Sequence, residues 1–186
     1  MKKRRTFYEY NPDPDTYSSI HFEYSLHNEI FEMYYTDEPL LPVWKPKKCH
    51  VYTMPEVADF PSLSDQRRIP VMNTRAWTAL RPLIGYCSEA LPIIHPSGEE
   101  YFLIHVMNTI DALDVDASEV SRTDDAVQRI RRVYRYAFHE EKLVGQPLFK
   151  LPFESGSDMI VDDEFRKVVE ANRLRGLKFK ELPRAL

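Results

Sequence analysis

At 186 residues, 43% of them hydrophobic and 29% charged, the chain lies in the ordinary globular range and outside the low-hydrophobicity composition of disordered chains. A chain of this length buries about 70% of the surface that its unfolded form exposes, so folding requires no disulfide or metal staple. The formal net charge of −4 excludes a whole-molecule electrostatic drive toward nucleic acid or an anionic membrane.

Met1-Lys2-Lys3-Arg4-Arg5 carries the charge of an export signal's start, but residues 6–12 supply no apolar core behind it. No stretch approaches the 18 or so apolar residues of a spanning helix. The expected compartment is therefore the cytosol, where Cys49 and Cys87 are expected as two packed thiols.

Residues 8–46 are rich in aromatics and prolines: Tyr17, Phe22, Tyr24, Phe31, Tyr34 and Tyr35 stand between the turn-like Asn11-Pro12-Asp13-Pro14 and Glu38-Pro39. Alternation over 20–24 reads as a strand, while 28–35 fits either a strand or a short helix. Pro39, Pro42, Pro46, Pro55, Pro61 and Pro70 argue against long regular elements up to residue 70. Asn73 then caps a predicted helix over 74–84, with Trp77, Leu80 and Ile84 at helical spacing, Gly85 at its end, and Pro82 expected to bend or shorten its last turn. Strands over 91–95 and 100–107 are joined by Pro96-Ser97-Gly98-Glu99, which has the residues a hairpin turn needs.

Val127, Ile130, Val133 and Ala137 fit a helical face, yet the β-branched and aromatic content of 127–138 favours a strand, the reading adopted. Short extended pieces at 148–151 and 158–161 precede a helix capped by Asp162 or Asp163. This helix runs to about residue 173, with Phe165, Val168 and Val169 inward and Gly176 as its stop. Residues 177–180 alternate as a closing strand. The order predicts an α+β fold of one domain over 1–186: an antiparallel or mixed sheet, about two main helices, and an irregular N-terminal portion.

Catalytic signatures are sparse. Gly85, Gly98, Gly145, Gly156 and Gly176 are dispersed, so no loop clusters the glycines that bring backbone amides onto a phosphate, and no G-x-S-x-G elbow occurs. No C-x-x-C or H-x-x-x-H pair sets two metal ligands on one face, and no cofactor is expected. His105, inside an apolar strand, reads as a hydrogen-bonded core histidine.

Asp111, Asp114, Asp116 and Glu119 follow the apolar run that starts at Tyr101. Asp114 and Asp116 would share one side of a strand and Asp111 and Asp114 one helix face, so no single regular conformation gathers them as two-metal hydrolysis demands. They read instead as the polar exit from a buried strand, with Asp116 or Ser118 capping a turn. Arg129, Arg131, Arg132 and Arg135, interleaved with Tyr134 and Tyr136, have the residue types of a nucleic-acid surface. The preferred reading sets them against the acidic 111–125 stretch or solvent, and nucleic acid is not the expected partner.

Several pieces form one ordered series. Pro70-Val71-Met72-Asn73-Thr74-Arg75-Ala76-Trp77 opens a helix, Glu89-Ala90-Leu91-Pro92-Ile93 enters a strand, and Tyr101-Phe102-Leu103 runs on to Asp111-Ala112-Leu113-Asp114 and Ser118. Phe149-Lys150-Leu151, Ile160-Val161-Asp162-Asp163-Glu164-Phe165 and Leu174-Arg175-Gly176-Leu177-Lys178-Phe179 follow. The series resembles the immunity-protein-eleven family of bacterial polymorphic toxin systems over about 70–182, which leaves 1–69 as an unmatched N-terminal embellishment. The resemblance implies a small cytosolic protein encoded beside a secreted toxin, no shared catalytic residue, and a structural corner at Asp111, Asp114 and Ser118.

The expected function is neutralisation of a cognate toxin protein by non-catalytic binding. The competing readings are an acid-dependent metal hydrolase using Asp111, Asp114 and Asp116, and a scaffold or regulatory protein using the arginine block. Toxins that act on nucleic acid present basic clefts, so carboxylates and aromatics are the expected contacts. They lie on two surfaces: the N-terminal segment with Asp13, Asp15, Tyr17, Tyr34 and Tyr35, and the acidic loop with Asp116, Glu119, Asp124 and Asp125. Aromatic anchors carry most interface energy, which assigns specificity chiefly to the segment before Pro70.

Overall fold

The computed structural model describes residues 5–185 except 53, 55, 65, 67 and 153–158, and the side chain of Tyr34 also lies outside the described set. Strands β1 (Phe7–Pro12) and β2 (Ser19–His21) precede a 3-10 turn at Tyr24–Leu26 and helix α1 (His27–Tyr35). Short strands β3 (Lys47–Lys48), β4 (His50–Tyr52), β5 (Ser62–Leu63) and β6 (Val71–Asn73) lead into α2 (Thr74–Ile84) and the hairpin of β7 (Ser88–Ile94) and β8 (Glu100–Val106). A second hairpin joins β9 (Glu119–Arg122) to β10 (Ile130–Arg135). A 3-10 turn at Glu140–Leu143, β11 (Leu148–Phe149), β12 (Ile160–Asp162), α3 (Asp163–Ala171) and β13 (Leu177–Glu181) complete the order.

Among the described residues the strands form small sheets ordered β11-β12-β1-β13, β3-β7-β8-β6, β4-β2-β5 and β9-β10. Pairing is antiparallel apart from β2 with β5 and β3 with β7. The fold is α+β, with three α-helices among the described residues where the sequence suggested about two main ones, because residues 28–35 resolve as helix.

Local capping explains two of these helices. Asn73 is extended and its side chain accepts from the Ala76 amide, while Ala76, Leu80 and Ile84 face inward. Pro82 does not shorten α2: the helix continues to Ile84, and the Gly85 amide still donates to the Arg81 carbonyl at 2.9 Å. Asp162 caps α3 by accepting from the Glu164 and Phe165 amides, and burial pushes its carboxyl above the ordinary range.

Gly176 does not stop α3, which ends at Ala171 with Asn172 as its cap. Its φ of +109° and its closeness to the 58–60 segment give it another task. A Cβ there would lie 2.6 Å from the Ala58 Cβ and 2.9 Å from the Phe60 carbonyl oxygen, so glycine lets β13 start hard against that segment. The extended piece read over 158–161 begins at Asp158, outside the described residues; β12 takes up Ile160–Asp162.

The largest departure is β1, which the sequence reading left without an element. It lies between β12 and β13, so the portion read as an embellishment fills the middle of a sheet otherwise drawn from the C-terminal part of the chain. That sheet separates two apolar clusters. Tyr8 and Tyr10 join Leu148, Val161 and Phe165 on one side, while Phe7 joins Phe149, Ile160 and Leu182 on the other. Alternation along β1, β11 and β12 sends successive residues into different cores.

Candidate partner interface

Beyond β8, Leu113 bridges Phe138 and the Asp114 amide donates to the Ala137 carbonyl at 2.9 Å. The Asp114 carboxylate accepts from the Ala117 amide at 3.1 Å. Ser118 Oγ accepts from the Ala137 amide at 2.9 Å and lies 3.3 Å from the Ala137 carbonyl, to which it donates. The 113–118 turn thus closes the base of the β9-β10 hairpin through side-chain bonds to backbone, the local competition that favours Asp and Ser in turns. Asp111 is exposed, and its carbonyl accepts from Lys142 Nζ at 2.7 Å. Asp116 is exposed as well. Among the described residues no group of three or more His, Cys, Asp or Glu side chains is arranged to hold a metal ion, so Asp111, Asp114 and Asp116 are not brought together.

The hairpin changes the electrostatic sense of the acidic loop. Asp125 accepts from Thr123 Oγ1 at 2.7 Å and from the amides of Val127 and Gln128, bonds that hold its carboxyl below the usual range. Glu119 lies 3.2 Å from Arg135 Nε, and Asp124 is exposed. Antiparallel pairing lays arginine-rich β10 along β9, so residues 116–135 combine four carboxylates with five arginines. As folded, this surface is not acidic.

In the N-terminal segment, Asp13 is only 8% exposed and pairs with Lys178 Nζ at 2.7 Å, which holds its carboxyl below the usual range. It fastens the end of β1 to β13 and presents little to a partner. Asp15 is exposed, and Tyr17 is half-buried and bridges Glu56. Tyr35 is exposed on α1, edge-on to Phe31 at 4.9 Å. Ile30 and Met33 of the same helix are buried.

Beneath the C-terminal end of α1 lies a polar network that sequence reasoning did not assemble. The Thr36 carbonyl accepts from His105 Nε2 at 3.0 Å and from Lys150 Nζ at 3.2 Å. His105, 1% exposed, sets Nδ1 3.0 Å from Glu89 Oε1, which already accepts the Leu40 and Leu41 amides. Both ring nitrogens therefore lie within hydrogen-bond distance of an oxygen, Glu89 Oε1 on one side and the Thr36 carbonyl on the other. Lys150 is also buried and pairs with Asp37 at 3.0 Å, while burial pulls its ammonium down. The Lys150 ammonium at the helix C-terminus complements its dipole. The residue types gave one signal, a lone histidine in an apolar strand; its partners Thr36 and Glu89 are remote in sequence.

No curated protein matches the chain. A family model does, from His95, next to the β7-β8 turn, through the corner, the second hairpin, α3 and β13. The family that this chain matches, over residues 95–183, is the immunity protein family (Imm11).

Proposed function

We propose that this chain is an immunity protein that binds a cognate bacterial toxin in the cytosol and blocks it by covering or distorting its active site, with no catalysis of its own. The observation that carries the reading is the family match over 95–183. Two features support it. The polar atoms of Asp114 and Ser118 are spent on backbone groups of Ala117 and Ala137, which suits a structural corner. Exposed large apolar side chains concentrate between Tyr24 and Val57, including Tyr24, Tyr35, Val43 and Tyr52, and such clustering marks interaction surfaces. Among the described residues no helix is long and apolar enough to cross a membrane. The test is co-expression with the toxin domain encoded beside this chain's gene. Restored growth and a co-eluting complex are expected; cell death despite folded protein, with no complex at micromolar concentrations, would overturn the reading.

A further inference from the structure

Between Arg5 and Lys45 the chain has eight carboxylates and no lysine or arginine. The whole chain sums to −4, so everything outside residues 6–44 sums to +4. By sequence, this one segment holds the chain's excess of negative charge. Four of its carboxylates are spent internally: Glu9 on Lys180, Asp13 on Lys178, Glu29 on Lys47 and Asp37 on Lys150, at 2.7–3.4 Å. Glu32 on α1 and Glu38 just beyond it point to solvent.

α1 has more apolar surface than its packing uses. Ile30 and Met33 form the stripe that faces the core. His27, Phe31 and Tyr35 recur at intervals of four and so line another stripe. Phe31 and Tyr35 touch at 4.9 Å and are both exposed, and Tyr24, 88% exposed, extends the row through His27 at 5.2 Å. A helix that only covered a core would carry polar residues there.

The helix is also held in position. Thr36 is gripped by His105 and Lys150, and Glu29 by Lys47 at 2.7 Å. A face fixed before binding loses little conformational freedom on contact. We infer that the outer face of α1, with Tyr24, Phe31 and Tyr35 as anchors and Glu32 and Glu38 as flanking charges, docks into a basic, aromatic-accepting cleft of a partner protein. The inference rests on the immunity reading, in which that cleft belongs to the toxin.

The experiment titrates the purified toxin domain encoded beside this chain's gene against the wild type and its variants by biolayer interferometry. Phe31→Ala/Tyr35→Ala should weaken binding by about 100-fold, mostly through faster dissociation. Glu32→Lys/Glu38→Lys should slow association by about 10-fold at low salt and less at high salt. Val144→Ser, at an exposed apolar position outside the segment, should bind within about threefold of wild type, as expected away from anchor positions. Phe31 is partly covered, so hydrogen exchange of the unmodified complex supplies a second readout, with protection expected over 24–38. If the wild type binds but the α1 variants match it within threefold, or protection falls on the β9-β10 hairpin instead, the docking face is wrong while the immunity reading stands. If the wild type does not bind at all, the immunity reading itself falls, and this inference with it.

Discussion

Asp59 is the residue whose removal should cost most for its size. It is 5% exposed; Oδ1 accepts from Asn73 Nδ2 at 3.0 Å, and Oδ2 accepts from Arg75 Nη1 at 2.8 Å and the Arg175 amide at 2.7 Å. Its backbone also pairs with Arg175 and Asn73. One side chain thus ties the segment before β5 to the cap of α2 and the entry to β13. In Asp59→Ala the half-exposed Arg75 re-solvates, a loss of about 0–1 kcal/mol. The Arg175 amide and Asn73 Nδ2 each lose a charged acceptor in a partly buried setting, about 1.5–3 kcal/mol apiece before relaxation. Asn73 loses the contact that orients it as a cap, worth about 1 kcal/mol. These effects share partners and do not add fully, so about 3–5 kcal/mol is expected overall. Asp59→Asn keeps one acceptor oxygen and should cost about half as much. Urea unfolding followed by circular dichroism measures both. An Asp59→Ala loss below about 1 kcal/mol at unchanged m would mean that water replaces the carboxylate and would refute the hub argument. If the alanine variant does not fold, the asparagine variant carries the same test.

Ser118→Ala removes both hydrogen bonds to Ala137 and should destabilise by about 1–2 kcal/mol, with amide exchange accelerating at the base of the β9-β10 hairpin. Burial pushes the Cys49 and Cys87 thiols up to about 11. The unfolded chain therefore releases these protons first, and stability falls as pH rises between the unfolded value near 9 and about 11, by up to about 1.4 kcal/mol per pH unit for each thiol. Cys49→Ala/Cys87→Ala should flatten that alkaline slope in urea titrations at several pH values. Calorimetric titration with Mg²⁺ and Mn²⁺ should show no stoichiometric site; one that disappears in Asp114→Asn would revive the hydrolase reading.

What the sequence disclosed depended on how far apart the deciding residues lie. Asn73, Trp77, Leu80, Ile84 and Gly85 sit within one helix and state its start, face and end. Asp162 and the Gly98 turn, at φ +78°, are equally local. β1 was hidden because its partners lie near residues 160 and 180, and because both of its faces are buried, so no in-and-out period shows. β9 was hidden for the opposite reason: it is polar, and cross-strand pairing with β10 rather than burial holds it. Charge was legible in part: the arginine block was expected against the acidic 111–125 stretch or solvent, and the hairpin does lay β10 along β9, with Arg135 on Glu119. What stayed hidden is that this pairing leaves the loop less acidic than its own residues suggest.

The placement of β1 and α1 bears on how binding and folding divide between residues. The family match starts at His95, yet its sheet has no centre without β1, and its buried His105 and Lys150 have their acceptor in Thr36. The N-terminal portion and the matched region therefore share one core. Within α1 the two duties separate by helical period: Ile30 and Met33 take the inner stripe, Phe31 and Tyr35 the outer. Changes on the outer stripe alter what the proposed docking face fits, at little cost to the core. Changes on the inner stripe, or at Thr36, Asp37 and Glu89 through their partners, loosen the helix and misplace the whole face at once. A helix bound to the core on one side and to His105 and Lys150 at one end can thus vary the side chains of the proposed docking face without renegotiating the fold.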